Sequence, residues 1–274
     1  MGAERRRAAV LGHPIAHSLS PALHRAAYAE LGLDWAYEVV DVTAEGLAGF
    51  VGGLDGSWVG LSLTMPLKQA VLPLLDEIDP VASATGAANT VVVRDGRLLG
   101  WNTDVEGIVA ALSEAGVEGG IGRGTVLGAG ATARSAVAAL AGLGAGDVVL
   151  VARRPEASDD VRACAGRLGV RLEVVGWEGA ADALGEPVVV STVPAGAVDV
   201  LAGSVPAAPG ALLDVVYDPW PTPLARAWEA AGGATASGLA MLLHQAVAQV
   251  RLFTGREPSA EVMRDALDAA AAAR

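Results

Sequence analysis

Short apolar runs alternating with stretches of 3.6-residue periodicity organise the first hundred residues of the chain. Arg7 to Gly12, Tyr37 to Val42 and Gly60 to Thr64 read as strands, while Pro21 to Leu31 and Pro66 to Leu75 read as helices. This is the α/β signature of a sheet covered by helices. Asn89 to Arg94 and Arg97 to Trp101 flank Asp95-Gly96, a dipeptide suited to two-residue hairpin turns, and predict an antiparallel pair. From Thr125 the pattern changes to strand Thr125 to Leu127, glycine-rich turn, helix Ala131 to Leu143 and strand Val148 to Ala152. Further strands fall near Leu172 to Val175, Val188 to Thr192 and Leu212 to Val216, which together predict a Rossmann-like, doubly wound parallel sheet. Leu239, Leu242, Leu243, Ala246, Val247 and Val250 mark one face of a helix, and Pro258 is expected to open an alanine-rich last one. The expected division is an α/β domain of residues 1–104 and 239–274, to which the C-terminal helices return, and a second domain of residues 105–238.

Composition narrows the picture. The 274 residues are 52% hydrophobic, ample for a core in each domain. A net charge of -12 argues against a nucleic-acid partner, which requires clustered positive charge. No run approaches the ~20 apolar residues of a membrane helix, and Met1 to Val10 lacks a signal peptide's apolar segment, so a soluble cytoplasmic protein is expected. Monomer and homodimer both remain open. The single cysteine, Cys164, reads as a small buried filler. His13 and His17 have i, i+4 spacing, but Pro14 intervenes and no acidic neighbour accompanies them, so no metal site is expected.

Gly128-Ala129-Gly130-Ala131-Thr132-Ala133 follows a strand and opens a helix, the setting in which G-x-G-x-x-A binds a dinucleotide. The first glycine permits the tight turn, the second lets pyrophosphate approach the backbone, and the phosphates sit at the helix N-terminus. The following strand ends Ala152-Arg153-Arg154 instead of in an acidic residue, and two guanidiniums suit the 2′-phosphate of NADP. Lys68 is the one lysine among 19 basic residues. Unlike arginine, its amine can be tuned to act as acid or base. Pro66 suits a helix's first turn, which would set Lys68 against the positive end of the dipole and lower its proton affinity.

Further motifs accompany that lysine: His17-Ser18-Leu19-Ser20-Pro21, Leu63-Thr64-Met65-Pro66-Leu67-Lys68, Gly86-Ala87-Ala88-Asn89-Thr90, Asn102-Thr103-Asp104, and Gly238-Leu239-Ala240-Met241-Leu242-Leu243-His244-Gln245. In this order the chain resembles the shikimate dehydrogenase family, from Gly12 to the C-terminal helices. The resemblance implies reversible, NADP(H)-dependent reduction of 3-dehydroshikimate to shikimate, on the route to chorismate and the aromatic amino acids. It implies a catalytic pair, Lys68 and Asp104, although Asp104 also stands where a helix N-cap before Val105 would. Ser18 and Ser20 match the family's carboxylate-binding serines, and Ser20 equally suits an N-cap. By the same match Thr64, Asn89 and Gln245 meet ring hydroxyls, Tyr217 contacts the carboxylate, and Gly238 and the Val215 backbone line the nicotinamide pocket. The chain departs from the family's frequent Asn-Arg-Thr at Ala152-Arg153-Arg154, and Trp101 replaces the small or polar residue common before Asn102. Relatives acting on quinate or an aminoshikimate-type substrate, and a non-catalytic ligand sensor, are alternatives on the same fold. The serine pair and the arginines favour shikimate with NADP over quinate with NAD, and Lys68 with Asp104 favours an enzyme over a sensor. Lys68→Arg is expected to keep charge and fold yet lose roughly 10²-fold or more in kcat, measured in steady state; near-normal turnover would count against acid–base use of the amine.

Overall fold

A computed structural model describes residues 5–274; Met1–Glu4, the start of the charged N-terminal segment, lie outside the described residues. The chain forms two units, residues 5–103 with Leu243–Arg274, and Asp104–Leu242. The first unit begins β1 (Arg7–Gly12), α1 (Ser20–Glu30), β2 (Ala36–Asp41), α2 (Leu47–Gly52), β3 (Trp58–Leu63) and α3 (Leu67–Ala70). It continues β4 (Glu77–Ile78), α4 (Pro80–Thr85), β5 (Thr90–Arg94) and β6 (Arg97–Trp101). The strands order β2-β1-β3-β5-β6-β4, with β1 parallel to β2 and β3, and β5 antiparallel to β3 and β6. Every residue of β3 is buried, and so is every residue of β1 after Arg7, because both faces of these central strands are covered. Such strands read as near-continuous apolar runs. Asp95 and Gly96 both take positive φ (53° and 74°), which matches the turn to the twist of β5 and β6.

The second unit comprises α5 (Asp104–Glu114), β7 (Arg123–Leu127), α6 (Ala131–Gly142), β8 (Asp147–Val151), α7 (Asp159–Leu168) and β9 (Arg171–Val175). Then come α8 (Ala180–Ala183), β10 (Val188–Ser191), β11 (Ala211–Asp214), α9 (Pro223–Ala230) and β12 (Ala234–Ser237). The order β12-β11-β10-β7-β8-β9 is parallel throughout. This is the Rossmann arrangement, whose direction of winding reverses between β7 and β10. The boundary between units falls within α10 (Gly238–Thr254), and α11 (Ala260–Ala272) then packs on α1 in the first unit. Among the described residues no helix is long and apolar enough to cross a membrane.

Several local expectations are corrected. The helix expected over Pro66 to Leu75 is one α turn of four residues, α3, followed by a 3₁₀ turn at Leu72–Leu74. Pro73 supplies the reason, since proline lacks the N–H that would continue the helix and restricts the residue before it. Pro66 stands before α3 as its N-cap and not in its first turn, so the expected placement of Lys68 relative to the helix start is corrected. Ser259, not Pro258, opens the last helix, its hydroxyl accepting from the Val262 N–H at 3.3 Å. His13 does have an acidic neighbour: the parallel register sets Gly12 beside Asp41, and Nδ1 of His13 lies 2.6 Å from the Asp41 carboxylate. The strands β4 and β12 went unanticipated, one because it has two residues and the other because Ala-Thr-Ala-Ser carries no apolar pattern.

Under α1, His24 is fully buried, stacks on Tyr37 with ring centroids 4.0 Å apart, and places Nε2 3.1 Å from Oε1 of Gln249. Burial holds its pKa down to about 3, against a usual 6.5. Between those values the folded chain binds fewer protons at His24 than the unfolded chain, so its contribution is full above pH 6.5 and is lost as pH falls toward 3. Denaturant unfolding at pH 7.5 and pH 5 is expected to show about 2 kcal/mol of this loss, absent in His24→Gln.

Candidate functional site

In the first unit, strand register gathers the polar residues at one end of the sheet. Ser62 pairs with Thr90 across β3 and β5, and Thr90 pairs with Trp101 across β5 and β6, so Thr64, Asn89 and Asn102 extend from neighbouring strand ends. Backbone bonds fix this convergence: Leu63 N–H donates to Asn89 O at 2.7 Å, and Asn89 N–H to Trp101 O at 3.0 Å. The Lys68 carbonyl accepts from Ala88 N–H at 2.8 Å, which holds α3 beside Asn89. Lys68 itself is half-buried, as is Thr64.

Asn89 is buried, and its contacts define the orientation of its amide. Oδ1 accepts from the Thr103 N–H and the Thr90 hydroxyl, both at 2.8 Å. Nδ2 donates to Thr103 Oγ1 at 2.9 Å and to Gln245 Oε1 at 3.4 Å. Asn102 instead donates to Thr85 Oγ1 at 2.9 Å, a bond within the frame. Near α1, the Ser18 hydroxyl accepts from the Ser20 N–H at 3.3 Å. Ser20 is not an N-cap: Leu19 takes that position, and the buried Ser20 hydroxyl meets Tyr37.

In the second unit, the glycine turn leaves β7 at the point where the sheet reverses its winding. Gly128 has φ +103°, and a Cβ there would lie 2.7 Å from Thr192 Oγ1 and 2.9 Å from Val193 Cγ1, so the end of β10 seats directly on the turn. Thr192 Oγ1 donates to Leu127 O at 2.8 Å and secures that seating. Ala129 and Gly130 follow, and Ala131 and Thr132 open α6. At Gly130 a Cβ would meet nothing within 4 Å. Arg153 and Arg154 are exposed just beyond β8. Asp104 is buried as the first residue of α5, one position inside the expected N-cap, where a carboxylate complements the helix dipole.

A second loop in this unit is ordered by a residue that pattern reading passed over. Asp214 ends β11 fully buried, accepts from the Val216 N–H at 3.2 Å and from the Thr222 hydroxyl at 3.0 Å. Thr222 in turn caps α9 by accepting from the Ala225 N–H at 3.2 Å. Burial pushes the Asp214 carboxyl up in pKa, with these bonds opposing the shift. The result is a held segment that carries Val215 and half-buried Tyr217, with Gly238 packed so closely against the Val215 carbonyl that no Cβ fits.

Residues 10–91 match the shikimate dehydrogenase substrate binding domain, and residues 238–267 match the shikimate 5'-dehydrogenase C-terminal domain. A relative from Citrifermentans bemidjiense named Shikimate dehydrogenase (NADP(+)) is 42% identical, across 96% of this chain and 94% of its own. This chain belongs to the shikimate dehydrogenase family. Among solved structures, Mycobacterium tuberculosis shikimate dehydrogenase superposes with a TM-score of 0.89 at 45% identity, over 96% of this chain and 99% of that one. Thermus thermophilus shikimate 5-dehydrogenase, solved in complex with NADP(H) and shikimate, superposes with a TM-score of 0.84 at 37% identity, over 97% and 99% of the two chains.

Within this shikimate dehydrogenase family fold, each unit brings its own residues together: Thr64, Lys68, Asn89 and Gln245 in the first, Gly128–Thr132 with Thr192, and Val215 with Tyr217 and Gly238, in the second. Thr192 was missed because its contact with Leu127 depends on strand order, which no local pattern reveals, and Asp214 because its bonds to Val216 and Thr222 follow no periodic pattern. The two turn glycines are expected to separate. Gly128→Ala should cost about 1–3 kcal/mol in denaturant unfolding, through strain and overpacking, whereas Gly130→Ala should leave stability within about 0.5 kcal/mol.

Proposed function

We propose that this protein catalyses the reversible, NADP-dependent reduction of 3-dehydroshikimate to shikimate, on the route to chorismate and the aromatic amino acids. The observation that carries the reading is similarity along 96% of the chain to a relative named Shikimate dehydrogenase (NADP(+)), in a sequence that keeps Lys68 and Asp104. Residues 1–104 and 239–274 serve the substrate, and residues 105–238 serve the cofactor. The reading places the protein in the cytoplasm as a monomer or homodimer.

The glycine turn fits a dinucleotide, because the open space at Gly130 allows the close backbone approach that pyrophosphate needs. Gly128, Ala129, Gly130, Ala131 and Thr132 take the pyrophosphate at the N-terminus of α6, and Arg153 and Arg154 take the 2′-phosphate. Val215 and Gly238 line the nicotinamide. NADPH, when bound, supplies a hydride to the carbonyl carbon.

The chain's own groups manage the substrate and the proton. Ser18, Ser20 and Tyr217 contact the carboxylate, and Thr64, Asn89 and Gln245 engage ring hydroxyls. Negative charge growing on the carbonyl oxygen is stabilised by the Lys68 ammonium, which then protonates it. In the oxidative direction the Lys68 amine takes the hydroxyl proton. Asp104 orients Lys68 and accepts a hydrogen bond from the substrate.

Steady-state assays of shikimate, quinate and aminoshikimate against NADP and NAD are expected to give the highest kcat/KM for shikimate with NADP. Arg153→Ala with Arg154→Ala should raise the KM for NADP about tenfold and leave that for NAD nearly unchanged, since only NADP carries the 2′-phosphate. Absence of shikimate turnover would sink the proposal.

A further inference from the structure

The structure assigns a positioning role to Gln249, through a buried relay of hydrogen bonds that orients both Asn89 and Gln245 for substrate. The inference rests on the preceding reading of those two residues as substrate ligands. Gln249 lies on α10 one helical turn beyond Gln245, buried, and its amide reaches groups on α1, β3 and β5. Oε1 accepts from the Ser62 hydroxyl at 2.8 Å and faces Nε2 of His24 at 3.1 Å. Nε2 donates to Thr90 Oγ1 at 3.0 Å and to Asn89 O at 3.3 Å.

These four contacts use both lone pairs and both protons of the amide, so it has one satisfied orientation. A flipped amide would set its oxygen against the Asn89 carbonyl, which can only accept. His24, kept neutral by burial, bears its proton on Nε2, so Nδ1 is the atom that accepts from the Tyr28 hydroxyl at 3.4 Å.

Direction then propagates along the relay. Thr90 accepts from Gln249 and therefore gives its own proton to Asn89 Oδ1. With Oδ1 also taking the Thr103 N–H, the Asn89 amide is fixed so that Nδ2 donates to Gln245 Oε1. Gln245 thus has its oxygen engaged by Asn89 and presents Nε2 as a donor to an oxygen of the substrate. On the other side Ser62 accepts from Tyr37 at 2.7 Å, and Tyr37 meets Ser20. Gln249 therefore joins the serine end of the substrate site to the Asn89–Gln245 end.

The test compares purified Gln249→Met, Thr90→Val, Thr90→Ser and Gln245→Ala. Gln249→Met keeps the shape and removes all four bonds; Thr90→Val breaks the relay one link on, and Thr90→Ser restores the hydroxyl. We expect KM for shikimate to rise about tenfold or more in Gln249→Met and Thr90→Val, with kcat falling less than about threefold, KM for NADP unchanged, and Thr90→Ser close to the parent. If Gln249→Met does not fold, Thr90→Val against Thr90→Ser decides. Unchanged shikimate KM in Gln249→Met or Thr90→Val, alongside a raised KM in Gln245→Ala, overturns the relay and spares the site. Unchanged KM in Gln245→Ala overturns the site reading and the relay with it.

Discussion

A polar side chain enclosed by apolar packing must find a partner or cost about 1–3 kcal/mol, and the first unit depends on meeting that demand across one buried cluster. The central strands of its sheet are covered on both faces, and Ser62, Asn89, Thr90 and Thr103 are buried there together with Gln245 and Gln249 from α10. Each answers another, and the relay closes only because the register sets Ser62 beside Thr90 and α10 lays Gln249 across both. Such a network rigidifies what it includes, since losing one member leaves several unsatisfied. A site that must hold ring hydroxyls gains from that stiffness, because a Gln245 amide free to flip would offer an acceptor where the network presents a donor.

The second unit relies on topology more than on polar networks. Its central strands β8, β10 and β11 are buried, mostly apolar runs, and its chemistry collects where the sheet reverses direction between β7 and β10. Gly128 and Thr192 meet there despite being far apart in sequence, and their contact explains why the first turn position tolerates no side chain. Asp214 performs a comparable service for the segment holding Val215 and Tyr217. Its carboxylate is a costly group to bury, and the bonds from Val216 and Thr222 offset part of that cost while tying the loop to the start of α9.

Most strands were legible because apolar runs bounded by turn residues survive any tertiary arrangement; β1, β6 and β10 fall within a residue of where the pattern puts them. The glycine turn was legible for a similar reason, as its geometry is local. Helix ends were read less well. Pro73 cut short the helix carrying Lys68, and Ser259 capped the helix that Pro258 was expected to open. In both places a single backbone N–H, missing or satisfied, outweighed the periodicity.

The chain by itself determined the class of fold, the family, the nucleotide turn and the singular amine at Lys68, since these are written in local patterns and in residue identity. Tertiary structure alone decided which polar atoms face one another. Asp41 comes to His13 through a parallel register, and Gln249 comes to Thr90 through helix packing, at sequence separations that periodicity does not span. Hydrogen bonds are short and directional, so the partner of a buried amide is fixed only once strands and helices are in place.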